Sequence, residues 1–513
     1  SVGTDCYIAY YDIRANKGTI IVGGDWLNFS KTHPIHGVNL IENLLFWTDN
    51  RNQPRKINVN TAIANPYVIN STLGYYFNED QISVAKYYPF EPIMLLDGVG
   101  SVDNVYSTMK NVTEEWLPIH CILRVTQVAP APGITFITVD GTHTYGSDEE
   151  NLFGSFTGGE GDRISGVNIE SAGGFDYVQL QSVSSLIPGE TIIGLKNQIT
   201  TQQLYENQNL YVQRKNPYYN PLFSGDPDFL KDKFARFSYR FKFDDGEYSL
   251  IAPFTQIAFV PLQDGYFIGD NCDESTGEIP LNSTNTGPGQ ESEAYRSTIV
   301  PFMENKVDEI ILRLPAPTPY NTSTTPLNWD EVIDNLKITE IDILWKSADD
   351  QSIKVIETLK SEFFSNETTN LLDYTYNSTE PWRTLPTNEL TRVSDKVPIR
   401  ALSQEATGNR IIYGNFVDRH TSPGALEYAV NIDEKPPLPI YPEPIDYTNA
   451  NFVRKEYQNH TLKQNRTYQV GVILSDRYGR QSDVILSNIE AVGGGKASTI
   501  YHPYRDINAY LIT

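Results

Sequence analysis

Apolar and polar residues alternate with a period of two along several stretches of this chain. Phe234-Ala-Arg-Phe-Ser-Tyr-Arg-Phe-Lys-Phe243 alternates, turns at Asp244-Asp-Gly246 and returns through Leu250-Ile-Ala-Pro-Phe254. Tyr468-Gln-Val-Gly-Val-Ile-Leu474 does the same through Asp476-Arg-Tyr-Gly479 into Val484-Ile-Leu486. Both turns carry Gly-x-x-Ser, as Gly246 to Ser249 and Gly479 to Ser482. Alternation places one face of a strand on a core and the other in water, so each stretch predicts a hairpin. Hairpins of this kind close immunoglobulin-like or fibronectin type III-like sandwiches. Val307–Leu314, Ile338–Lys346 and Ser352–Leu359 read as further strands, with a turn at Asp349-Asp350 and Trp345 in the core. The expectation is one sandwich containing Ile338–Leu359 and Tyr468–Leu486, interrupted by an insertion of about a hundred residues. A short helix is expected around Leu327–Leu336.

A second pattern is a short strand, an aromatic residue and a polar turn. Cys6-Tyr-Ile-Ala-Tyr-Tyr-Asp-Ile13 turns at Asn16-Lys-Gly18 and returns as Thr19-Ile-Ile-Val22. Leu44-Leu-Phe-Trp-Thr48 turns at Asp49–Gln53 and returns as Arg55-Lys-Ile-Asn-Val59, and Asn409–Val417 is a partial third copy. Recurrence of such units suggests propeller blades. The fold expected is therefore mainly β: a propeller-like body with immunoglobulin- or fibronectin type III-like sandwich domains and inserted loops.

Composition agrees with that reading. The chain has 513 residues, which suggests several units, and 32 Tyr with 22 Phe favour pleated, half-buried strands. The net charge is −24, from 64 acidic against 40 basic residues. Tight binding to nucleic acid comes mainly from Lys and Arg on phosphates, so this balance opposes it. No stretch of about 18 apolar residues occurs, so no membrane-spanning segment is expected. Cys6, Cys121 and Cys272 are far apart and odd in number, which gives neither a disulfide framework nor a metal knuckle. The chain opens Ser1-Val-Gly without Met, as a processed or partly observed piece of something longer would.

Candidate chemistry is sparse. No HExxH, Walker A or nucleophile-elbow pattern occurs. His33 and His36 share a loop without an adjacent Asp or Glu ligand set, and Gly158-Gly-Glu-Gly161 lacks the lysine of a phosphate loop. Asp264–Glu278 is acidic but lacks the alternating oxygen ligands of a calcium loop. No catalytic, cofactor-binding or metal residue is therefore expected, and no enzyme activity. The Trp-Asp-Arg cluster of the second hairpin reads as a structural clasp: Trp47 and Phe46 between strands, Arg51 and Arg55 tying the turn to acidic neighbours.

The expected division is 1–128 (first part of the propeller-like region), 129–220 (an inserted small β region) and 221–300 (β-rich, with the first fibronectin-like hairpin). There follow 301–360 (first part of a sandwich), 361–466 (an insertion with propeller-like strands) and 467–513 (return strands and C-terminal segment). Pro315–Pro326 and the proline-rich Lys435–Pro444 read as linkers, and Phe153–Asp162 as a loop tip that makes contacts.

Five stretches together, LLFWTDNRNQPRKIN, RFSYRFKFDDGEYSLIAPF, ITEIDILWKSADDQSIKVIETL, LTRVSDKVPIRALSQEATGNRIIYGNFVD and YQVGVILSDRYGRQSDV, resemble the tail muzzle (nozzle) proteins of crAss-like and related short-tailed phages. They cover roughly a quarter of the chain. The resemblance implies a structural virion protein in a homo-oligomeric ring, of six-fold or related symmetry, at the distal end of a tail. It implies other tail proteins as neighbours and viral DNA that passes through the ring during ejection without specific binding. It supplies no active site. The rival readings are a virion-surface or secreted adhesin for a glycan or protein receptor, and a glycan-cleaving tail enzyme.

Overall fold

The computed structural model describes residues 6–68, 74–95, 109–131, 134–140, 163–165, 178–184, 190–195, 209–216, 218–255, 257–259, 304–305, 307–317, 328–348, 350–365, 367–381, 383–386, 389, 397–408, 410–423, 426–431, 462–463, 465–487, 490–491 and 495–503. Gly158–Gly161, the Phe153–Asp162 loop, Asp264–Glu278, Lys435–Pro444 and Cys272 lie outside them. The described chain is mainly β, built of antiparallel sheets.

The largest core lies between two sheets. Ala235–Phe243, Ile338–Ser347, Lys354–Lys360 and Arg383–Thr384 form a four-stranded sheet in that order. Leu371–Tyr376, Glu309–Pro315 and Met109–Lys110 form a three-stranded one. Alternate residues Phe237, Tyr239, Phe241, Ile341, Ile343 and Trp345 meet Ile310, Leu312, Leu314, Leu372 and Tyr376 in one buried cluster. Each fully buried side chain of this size contributes about 1.5–3 kcal/mol of transfer free energy. Trp345 is in the core, as its place in the alternating pattern predicts. The helix is Trp329–Leu336: Asn328 and Glu331 form a reciprocal capping box, and Lys337 ends the helix in the left-handed region. Trp329 and Val332 complete the core.

The hairpin that closes this sandwich is the first copy, not the second. Ala235–Phe243 pairs with Ile338–Ser347 along its full length. Arg466–Gln469, at the start of the second copy, pairs instead with Thr499–His502, and no residue of 466–486 joins the sandwich core. The expectation that Tyr468–Leu486 shares a sandwich with Ile338–Leu359 is thus corrected. Both copies alternate, but only the first carries Phe237, Tyr239, Phe241 and Phe243 on one face, enough apolar surface to fill the gap between two sheets.

The outer edge of Ala235–Phe243 is not left open. The amides of Ser249, Ala252, Thr255 and Ala258 donate to the carbonyls of Phe241, Tyr239, Phe237 and Ala235. This segment advances three residues for every two of the strand, so regular pairing is impossible. The Ser249 and Thr255 hydroxyls fill the gaps, accepting from the Phe241 and Phe237 amides at 2.9 and 3.0 Å. A covered edge cannot recruit a foreign strand.

Two smaller regions flank the sandwich. The hairpin Tyr7–Asp12/Lys17–Gly23 and the sheet Gly37–Ile41, Leu44–Thr48, Arg55–Asn58 share a core of Ile21, Val22, Leu27, Trp47, Ile57 and Ile82. Arg400–Thr407 and Arg410–Val417 form the third hairpin. Separately, Val178–Ser184, Glu190–Leu195, Ile134–Asp140, Trp116–Ala131, Asn209–Lys215 and Arg163–Ser165 pair in that order, and Arg163–Ser165 pairs back to Val178–Ser184. The chain enters and leaves this group at one point. The Asn216 side chain donates to the Asn111 and Glu114 carbonyls at 2.7 and 2.8 Å, and its amide donates to Glu115.

Candidate functional site

The cluster that drew attention in the sequence, Trp47 to Lys56, lies at the meeting point of four distant segments. Asp49 shapes its turn: its carboxylate accepts from the Arg51 and Asn52 amides and from the Asn52 side chain. The turn holds Arg400–Thr407 in place, because the Thr48 hydroxyl and the Asn50 amide both donate to the Ala401 carbonyl. Trp47 is buried against Phe29, as expected. Arg55 is buried and pairs with Glu79 at 3.0 Å while donating to the Leu27 carbonyl. Arg51 corrects its expectation. Among the described residues it reaches no carboxylate, and it donates to the Asn28 side-chain oxygen at 2.8 Å.

The turns of the two hairpin copies grip this small region from two sides, with opposite charge. From the first copy, Asp245 meets Lys56 at 3.1 Å and Lys86 at 2.6 Å, and Glu247 also meets Lys56. Burial alone would lower the Lys56 pKa, but Glu247 and Asp245 outweigh it and the result is raised. Burial likewise opposes ionisation of Asp245, yet Lys86 and Lys56 hold its carboxyl down at about 2. From the second copy, Arg477 meets Glu79 at 3.2 Å and Asp80 at 2.8 Å, and the Tyr478 hydroxyl donates to Asp80. Arg480 donates to Asp476, to the Pro398 carbonyl and to the Gln53 side chain. Burial pushes the Asp80 carboxyl up despite Arg477. Asp476 is lowered: burial opposes this, and the Arg480 charge with the His420 and Arg480 hydrogen bonds overcomes it.

What can such a cluster do chemically? A cleft of about 100 Å³ opens beside it, lined by Lys56, Asn58, Tyr75, Tyr76, Asp244 and Asp245 among others. That is room for a few waters. Lys56 is already neutralised by two carboxylates, and Tyr75 donates to Asp244, with burial first and that carboxylate second raising its hydroxyl. The one cation lining the cleft is thus already paired, and the Asp244 carboxylate accepts the Tyr75 hydroxyl. Among the described residues no group of three or more His, Cys, Asp or Glu is placed to hold a metal ion. His33 and His36 are exposed in their loop, and the half-buried Cys6 thiol donates to the Phe29 carbonyl at 3.9 Å. The arrangement is a clasp between chain segments.

A second buried ion cluster lies in the sandwich. Arg240 and Asp342 face each other across paired strands at 2.9 Å, with Glu389, Arg383 and Thr358 completing the set and Tyr248 stacked on the guanidinium. A buried pair directly opposite across two strands fixes their register, since a slip would strand both charges.

Sequence reasoning missed Lys56, Lys86, Asp245, Glu79, Asp80, Arg477 and Arg480 as partners. The available signal was the sign reversal between the copies: Asp244-Asp245-Gly246-Glu247 is acidic where Arg477-Tyr478-Gly479-Arg480 is basic. No family model, no curated protein and no solved structure matches this chain.

Proposed function

We propose that this chain is a structural virion protein, a subunit of a ring-shaped muzzle at the end of a short phage tail. The observation that carries the reading is the clasp. The stretches on which the resemblance rests include those that converge there: Leu44–Asn58, the turn at Asp244–Glu247, Pro398–Gln404 and Asp476–Ser482. Their charged residues are consumed in joining segments to one another, which suits a part that carries mechanical load and does no chemistry. In this reading the sandwich is fibronectin type III-like and the hairpin sheets are propeller-like. The subunits stand in six-fold or related symmetry, and no catalysis is intrinsic to the chain.

The charge has a use in such a part. A surface carrying a share of the −24 repels phosphates within a Debye length of about 8–10 Å, so that DNA slides instead of adhering. The test is electron microscopy of the purified chain, with duplex DNA binding measured at physiological salt. The expected result is a closed ring with an acidic axial channel and no detectable binding. A single chain, or a channel wall rich in Lys and Arg, overturns it.

One observation favours the adhesin alternative. Tyr7, Tyr10 and Tyr11 are exposed together on the first hairpin, and exposed aromatic groups are common anchors for glycans and proteins. Retention on a glycan array, lost in Tyr10→Ser/Tyr11→Ser, would favour that reading.

A further inference from the structure

Five hydrogen bonds of the first hairpin copy recur at the equivalent positions of the second. In the first, the Phe243 amide donates to Glu247, Gly246 to Phe243, Ser249 to Phe241 and Ala252 to Tyr239, and the Ser249 hydroxyl accepts from Phe241. In the second, Asp476 donates to Arg480, Gly479 to Asp476, Ser482 to Leu474 and Ile485 to Val472, and the Ser482 hydroxyl accepts from Leu474. Position by position, Tyr239, Arg240, Phe241 and Lys242 correspond to Val472, Ile473, Leu474 and Ser475.

In the second copy the even-numbered residues of 466–475 face an occupied edge: Leu474 and Val472 bond to the return segment, Val470 to Ser498, and Arg466–Gln469 pairs with Thr499–His502. The odd-numbered Thr467, Gln469, Gly471, Ile473 and Ser475 point the other way. In the first copy their counterparts Ser238, Arg240 and Lys242 face Leu344, Asp342 and Glu340 of the neighbouring strand. In the second, no described strand lies there. On the face that fills the sandwich core in the first copy, Val470 and Leu474 are exposed and Val472 is half-buried; Ile473, Val484 and Leu486 are exposed as well. Among the described residues the second copy has no facing sheet.

The protection that soluble edges usually carry is missing too. Thr467–Ser475 contains no charged residue and no proline, in a chain where 20% of residues are charged. A second edge has the same character. Among the described residues Arg410–Val417 pairs only with Arg400–Thr407; it is uncharged from Ile411 onward and exposes Ile412, Phe416 and Val417. These two edges do not meet within one chain. Just beyond Val417, His420 bridges to Ser482 and Arg419 pairs with Asp483, which ties that hairpin to the return segment on the covered side of 467–475.

We propose that the open edge Thr467–Ser475 takes up Arg410–Val417 of a second copy of this chain as an added antiparallel strand. The proposal names the contact by which the ring described above closes, and rests on that reading. Donor and acceptor are different surfaces, so the contact is heterologous, and its repetition closes a ring or extends a filament. Five residues of the edge each offer an amide and a carbonyl, and Val470, Leu474, Ile412 and Phe416 lose water together. Neither strand brings a charge into the contact, which two copies of −24 require if they are to approach.

The test is sedimentation velocity of the full chain and two variants, Ile473→Lys on the acceptor and Ile412→Lys on the donor. Both positions are exposed, so each variant should fold and keep the parent's far-ultraviolet circular dichroism. The parent is expected to sediment as a multiple of 57.9 kDa and each variant as a single chain. Mixed in equal amounts, the variants retain one intact acceptor and one intact donor, so the mixture should form a dimer and stop. Ile473→Pro, which removes an unpaired amide, should act like Ile473→Lys, whereas Val472→Pro breaks the bond to Ile485 and should lower the melting temperature. Variants that assemble like the parent, or a mixture that remains single chains, overturn the strand contact and leave the ring standing. A parent that is itself a single chain overturns both.

Discussion

The hairpins at Phe241–Ala252 and Leu474–Ile485 share one hydrogen-bond pattern and have opposite surroundings. The first lies beside a long paired strand, over a core of Phe237, Tyr239 and Phe241, and points an acidic turn at Lys56 and Lys86. The second has one edge with no described strand beside it, exposes Val470 and Leu474, and points a basic turn at Glu79 and Asp80. The local turn chemistry of Gly-x-x-Ser specifies the hairpin; the residues projecting from it decide what the hairpin joins. One scaffold thus holds the same small region from two sides by opposite charge, so that neither turn can dock at the other's place without like-charge contact.

The sharpest way to break this comparison is at the equivalent positions Arg480 and Glu247. The Arg480 side chain is 5% exposed and bonds three groups, whereas that of Glu247 is 49% exposed. Arg480→Ala should cost about 3–5 kcal/mol in denaturant unfolding, because Asp476 keeps a half-buried charge without its main partner. Glu247→Ala should cost under about 1 kcal/mol, since Asp245 still neutralises Lys56. Equal losses would mean that the two grips are alike.

The glycines differ next. Gly246 and Gly479 both sit in the left-handed region, at φ +79° and +83°. A methyl group at Gly246 meets nothing within 4 Å, but one at Gly479 would lie 2.3 Å from the Leu250 side chain, where the two hairpins touch. Gly246→Ala should cost about 1 kcal/mol from the backbone alone. Gly479→Ala should add about 1–3 kcal/mol for the clash, read from the same unfolding curves.

Acid separates the two grips by sign. Asp245 titrates at about 2 when folded against an ordinary 3.8, so its contribution is full above pH 4 and fades as pH falls through 2. The difference corresponds to stability on the order of 2 kcal/mol. Asp80 is shifted upward, so its protonation favours the folded state and partly offsets the loss. Asp245→Asn should flatten the acid limb of a stability–pH curve and Asp80→Asn should steepen it. A limb unchanged by either substitution would detach the pH response from the clasp.

The serines give the smallest contrast. Ser249→Ala leaves the amide of fully buried Phe241 without its 2.9 Å acceptor and should cost about 1–2 kcal/mol. Leu474 is 44% exposed, so water can replace the Ser482 hydroxyl. Ser482→Ala should stay within about 0.5 kcal/mol.

Much of the local structure was legible in the chain. A short helix was expected around Leu327–Leu336, alternation around Trp345 announced a core strand, and Gly-x-x-Ser announced the hairpins. The clasp was legible in kind: Trp47 buried, Arg55 on a carboxylate. Its partners were not. Glu79 lies 24 positions from Arg55 and 398 from Arg477, and nothing in a single sequence ties such distant residues together. Arg51 was assigned a carboxylate it does not touch, because Asn28 reaches it through the 3-10 turn Asp25–Leu27 and the left-handed residue after it.

What the sequence determined by itself is therefore what depends on near neighbours: period-two strands, turn residues, helix caps, and an acidic chain without a recognisable catalytic pattern. Which hairpin closes the sandwich was decided only in three dimensions. Both copies satisfy the local rules, and the choice turns on whether four aromatic side chains can fill the space between two sheets contributed by residues scattered from Met109 to Thr384. Burial of that surface is a sum over distant partners, and no window of the chain contains it.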